Sequence, residues 1–141
     1  NLNQGYFHKW KALMVKELKD ILTLWQTKAE HDLKAAQKEI RTAKPLTDII
    51  CFHAQQAAEK YLKMFLVSRD NVPHKTHNLK DLLNLCQKYQ KEFRLLTDIV
   101  FLTEYAVELR YPNDFYIPSK TEAKEAITAA KKVKDLVLRL L

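Results

Sequence analysis

A chain of 141 residues that is 47% hydrophobic can bury one real core, and none of its apolar runs approaches the roughly 18 residues of a membrane-spanning helix. One glycine and four prolines supply too few tight-turn residues for a sheet of hairpins, so an all-α fold is expected. The net charge of +7 and pI near 9.4 permit a polyanionic partner, although lysines on outer helix faces serve mainly solubility. No basic-then-apolar leader with a cleavage site opens the chain, which therefore reads as cytoplasmic and free of membrane.

In chain order, Trp10, Leu13, Met14, Leu18, Ile21 and Leu22 recur at three- and four-residue spacing and predict a leading helix from about 8 to 22. The first residue is not methionine, and Met14 is a candidate native start that would leave residues 1–13 as an extension. Trp25, Ala29, Leu33, Ala36 and Ile40 form a second apolar face, with no breaker separating it from the first and Pro45 expected to end it. Thr47 is placed to cap the next helix, which should run to about Arg69.

That helix is the expected centre of the fold. Ile50, Ala54, Ala57, Tyr61, Met64 and Phe65 make one apolar stripe, and the small alanines let a neighbouring helix approach closely. Ile49, His53, Gln56, Lys60 and Lys63 run along its border, where polar groups are half-buried and able to contact what packs there.

After the loop Asp70–His77, Asn78 followed by Asp81 predicts a capped short helix carrying Leu79, Leu82, Leu83 and Cys86. Phe93, Leu96, Val100 and Val107, joined by Ile99, Leu102 and Ala106, predict a broad α-helix over 93–110 that Tyr111–Asp114 stops. Ser119 with Glu122 is a capping box for a last helix bearing Ala123, Ile127, Ala130, Val133, Val137 and Leu140. Cys51 and Cys86 lie inside apolar helical patterns without Cys-x-x-Cys spacing, so free buried thiols are expected, with neither disulfide nor zinc site. The sum is an up-and-down antiparallel bundle of four to five helices.

Phe52-His53-Ala54-Gln55-Gln56-Ala57-Ala58-Glu59-Lys60 resembles the signature of the HEPN domain family. Ala29–Ala36, Lys75-Thr76-His77-Asn78-Leu79 and Arg110-Tyr111-Pro112 fit the same family in the same order. The resemblance covers about residues 24–141 and leaves 1–23 as a leading helical extension. It implies a bundle that forms a homodimer through its central helices, binds nucleotide or RNA without a cofactor or metal, and works with a small nucleotidyltransferase. Some family members are metal-independent, toxin-like ribonucleases of toxin–antitoxin pairs, with the site at the dimer interface. That branch carries Arg, four to six residues, then His after the long third-quarter helix. Here the place holds Arg110, with Tyr116 in the window and no histidine. An ordinary tyrosine is a poor base near neutral pH, so the chain departs from the nuclease motif at its proton-transferring position, and the motif alone does not assign cleavage. A literal Arg69…His74 match follows the wrong helix and is the kind of coincidence short motifs produce.

The candidate nucleotide-binding set is therefore Arg110, Tyr111, Asp114 and Tyr116, with His53, Gln56 or Lys60 brought to the same cleft from the central helix; catalytic residues are unassigned. A guanidinium forks onto phosphate, a ring stacks on a base and a carboxylate accepts from ribose hydroxyls. Each residue also has a plainer use. Arg110 suits the carbonyls ending a helix, His53, Gln56 and Lys60 suit a seam between helices, and His77 suits a loop anchor. Two alternatives stand beside this reading: a metal-independent, toxin-like ribonuclease whose dimer-interface site uses Arg110 and polar neighbours, and a purely structural, partner-binding bundle.

Overall fold

The computed structural model describes residues 2–70, 74–106 and 116–141, with the side chains of residues 2, 3, 6, 7, 10 and 14 left out. Four α-helices and one 3-10 segment make an all-α bundle: α1 (Leu2–Glu39), α2 (Thr47–Asp70), α3 (Leu79–Gln87), the 3-10 segment (Lys91–Tyr105) and α4 (Lys120–Leu140). No strand occurs among the described residues.

α2 is the hub, touching every other element. The predicted stripe of Ile50, Ala54, Ala57, Tyr61, Met64 and Phe65 is buried throughout, and Cys51, Ala58, Leu62 and Leu66 bury the adjoining face as well. Fully buried alanines at the contacts (Ala29 and Ala36 on α1, Ala54, Ala57 and Ala58 on α2, Ala123, Ala126 and Ala130 on α4) account for three long helices fitting side by side. Cys51 and Cys86 are free and buried, and burial pushes the Cys51 thiol up to about 11, so it is not a ready nucleophile. The Tyr61 hydroxyl is buried and finds no hydrogen-bond partner among the described residues.

Several local expectations change. The first two apolar patterns are one continuous helix, as the lack of a breaker allowed. α1 ends at Glu39, well before Pro45. Tighter bonds from Arg41 N to Lys38 O and Thr42 N to Glu39 O, with the Thr42 hydroxyl also on Glu39 O, take up its last carbonyls. Thr47 is the first residue of α2, and its hydroxyl donates to Pro118 O at 2.6 Å, tying the start of α2 to the approach to α4.

The predicted α-helix over 93–110 is instead a 3-10 segment from Lys91, broken at Leu96 (φ −102°, ψ 15°). Its buried residues are Phe93, Leu96, Ile99 and Leu102, a spacing of three that matches the three-residue turn; Val100, assigned to the core by α-periodicity, is only half-buried. Val107 and the predicted stop at Tyr111–Asp114 lie outside the described residues. The two caps hold. The Asn78 side chain accepts from Asp81 N, and Ser119 and Glu122 form both bonds of a capping box.

Candidate functional site

The helical phase that buries α2's stripe also sets its polar border in a row one turn apart, and that row is bonded end to end. Asp32 on α1 accepts from His53 Nδ1 at 2.8 Å and from the Lys60 ammonium. Lys60 also reaches Gln56 Oε1 at 3.4 Å, and Gln56 Nε2 donates to Gln55 Oε1 at 2.6 Å. Gln55 Nε2 donates onward to Glu59 Oε1 at 3.1 Å. Glu59 further accepts from Lys63 Nζ at 3.3 Å and from His77 Nδ1 at 2.8 Å. One polar chain thus runs from the α1–α2 seam to the loop before α3.

Burial divides this chain in two. His53, Gln56, Lys60 and Asp32 are half-buried, while Gln55, Glu59 and Lys63 are buried. His77 is the exposed member at the far end, its side chain 68% accessible over a carboxylate that is 6% accessible. Half-buried donors in a region of reduced dielectric suit an anionic ligand, because they remain reachable while their charge is less screened than in water. Among the described residues no group of three or more His, Cys, Asp or Glu is arranged to hold a metal ion.

His53 and Lys60 both bond Asp32 and Lys60 also reaches Gln56, so the three lie along one seam, with Asp32 as the partner that sequence reasoning missed. Gln55 and Glu59 were missed too. The signal that would have found them is Gln55–Glu59–Lys63 at i, i+4 spacing, the arrangement in which helix neighbours pair. His77 proves to be an anchor, holding the loop to Glu59.

Tyr116 has different neighbours. Its hydroxyl donates to Glu122 Oε1 at 2.5 Å, the carboxylate that also accepts from Ser119 N at 3.1 Å. The bond to Glu122 raises the Tyr116 pKa above its ordinary value, which makes the hydroxyl a still poorer base. Its partners are on α4, those of His53 and Lys60 on α1. Arg110, Tyr111 and Asp114 lie outside the described residues. The literal Arg69…His74 match has separate structural uses: Arg69 stands 4.8 Å over the Phe65 ring and donates to Leu140 O at 3.1 Å, while His74 Nε2 bonds Asp70 at 3.1 Å.

The model of the HEPN domain matches residues 22–140, nearly the whole chain. The chain belongs to the HEPN domain family. Among solved structures, the crystal structure of an archaeal HEPN homologue superposes with a TM-score of 0.63 at 21% identity, covering 84% of this chain and 96% of that one. At that identity the likeness carries the fold alone. No curated protein matches the chain. The family ties this helical protein to the nucleotide- and RNA-related group that HEPN proteins form, and its match opens at residue 22, inside α1.

Proposed function

We propose that this HEPN protein binds a nucleotide or RNA, and acts with a small nucleotidyltransferase rather than cleaving RNA itself. The observation that carries the reading is the half-buried set of His53, Gln56 and Lys60 around Asp32, a donor-rich stretch on the rigid central helix of a chain in this family. A ligand phosphate entering there competes with Asp32 for the Lys60 ammonium, exchanging one charge-assisted bond for another. Arg110 and Tyr111, with Asp114, supply the phosphate fork, stacking ring and ribose acceptor from the segment after the 3-10 turns. Binding is favoured over cleavage because the window after Arg110 offers Tyr116 in place of histidine, and its proton is engaged by Glu122.

The test is titration with ATP and with short RNA at two salt concentrations. Lys60→Ala and Arg110→Ala should each weaken binding about tenfold or more, the scale of one charge-assisted contact of roughly 1.5–3 kcal/mol. Lys131→Ala, on the exposed face of α4, should change little. Equal weakening by all three, abolished by salt, would show diffuse electrostatics and sink the pocket. The partner is tested separately, by mixing with a small nucleotidyltransferase encoded beside this chain. No complex on gel filtration would remove that part of the reading.

A further inference from the structure

The His53 ring is held from two sides. Its Nδ1 lies 2.8 Å from Asp32 Oδ1, and Phe52 meets the ring edge-on, with centroids 5.6 Å apart and planes at 71°. Asp32 makes the two ring nitrogens unlike. An ionised carboxylate only accepts, and the other oxygen of this one takes the Lys60 ammonium, so Nδ1 is the nitrogen that carries the proton. In the neutral ring, Nε2 is left with a lone pair. Among the described residues nothing bonds Nε2, and the His53 side chain is 32% accessible. The seam thus presents two opposite groups bridged by a single carboxylate: an ammonium that only donates, and a fixed imidazole nitrogen that only accepts.

A phosphate cannot satisfy that nitrogen. Phosphate oxygens are acceptors, so a phosphate resting on Lys60 leaves Nε2 in need of a donor close by. The N–H groups of a base stand across the sugar from the phosphate. The 2′-hydroxyl of an RNA strand is a donor on the carbon next to the one that carries the 3′ phosphate, and DNA lacks it. A donor and an acceptor placed side by side in the seam therefore match a phosphate and a hydroxyl placed side by side on one strand.

We propose that His53 reads a ribose 2′-hydroxyl of a strand whose phosphate rests on Lys60, so that the ligand of this seam is RNA rather than DNA. Asp32 is the positioning residue, because it selects the tautomer that leaves Nε2 an acceptor. The proposal rests on the seam being the binding site. The test is titration of the full chain, in mildly alkaline buffer, with short strands of one sequence bearing 2′-hydroxyl, 2′-fluorine or 2′-hydrogen. Fluorine keeps an RNA-like sugar shape but cannot donate. The hydroxyl strand should bind about three- to tenfold tighter than either of the others, the scale of one hydrogen bond. His53→Phe should bring the three affinities together while changing that of the 2′-hydrogen strand little. Asp32→Ala should narrow the preference as well, whereas a merely structural role for Asp32 would weaken all three strands alike and leave their ratio in place. Lys60→Ala should weaken all three by the same factor. If the wild type binds the three alike and Lys60→Ala weakens each, the hydroxyl assignment is overturned and the site stands. If binding is indifferent to Lys60→Ala, the site falls and the proposal with it. Cleavage of the hydroxyl strand that His53→Phe abolishes would also overturn the proposal, since Nε2 would then be removing the proton rather than holding the hydroxyl.

Discussion

Asp32 and Glu59 each accept from a histidine Nδ1 at 2.8 Å and from a lysine ammonium, yet they sit in different surroundings. Asp32 is on α1 and both its partners come from α2, so its bonds join two helices at a half-open seam. Glu59 takes Lys63 from its own helix and is closed over, with only His77 facing solvent. The same trio of side chains should therefore do different work. Around Asp32 a ligand anion can replace the carboxylate as partner of Lys60. Around Glu59 the bonds compensate charges that the bundle has already taken out of water, and what they secure is the fold.

The largest expected effect tests that division. Glu59→Ala leaves the buried Lys63 ammonium without its carboxylate and should destabilise the protein by about 3–5 kcal/mol in denaturant unfolding. Asp32→Ala should cost only about 1 kcal/mol, since Lys60 and His53 can turn toward water. Glu59→Ala combined with Lys63→Met should recover most of the loss, because no unpaired charge remains. Equal costs for the two single changes would erase the distinction between an open and a closed end.

A smaller effect probes the apolar side of the same helix. Ala57 is fully buried in α2's stripe, so Ala57→Leu should overpack the close helix contact and cost roughly 1–3 kcal/mol. An unchanged thermal midpoint would mean that the packing yields, and that the small residues there are not what sets the helix spacing.

The sequence carried α2's apolar face, both caps and the last helix because each rests on local pattern: spacing at 100° per residue, or a side chain three residues from the amide it accepts from. It did not carry the 3-10 segment. Phe93, Leu96, Ile99 and Leu102 have a period of three in plain sight, but Val100 and Ala106 fit an α-helix equally well, and only packing against α2 and α3 selects between them. Of the candidate site, His53, Gln56 and Lys60 were legible as a border. Asp32 was not, because its role depends on which turn of α1 lies opposite His53, and no local rule fixes that.

The smallest effect concerns a third carboxylate, which serves as the exposed reference for the other two. Glu122 accepts from the Tyr116 hydroxyl and from Ser119 N, and these bonds, Tyr116's first, hold its pKa below the ordinary 4.5. A carboxyl whose pKa is lowered by folding contributes stability that is complete above the unfolded value and is lost as pH falls through the lower, folded one. The loss should therefore begin near pH 4.5 and deepen below it. Because Glu122 closes only the first turn of α4, the expected change is local: amide protection factors at Glu122 and Ala123 fall on acidification while α2's core amides stay protected. Tyr116→Phe removes the stronger of the two donors, so in that variant the same loss of protection should start at a higher pH. If α2's amides open over the same pH range, the acid response is global, and the surface carboxylate is not the independent reference assumed here. If Tyr116→Phe leaves the onset where it was, the hydroxyl contributes nothing to Glu122, and Tyr116 is free to meet a ligand.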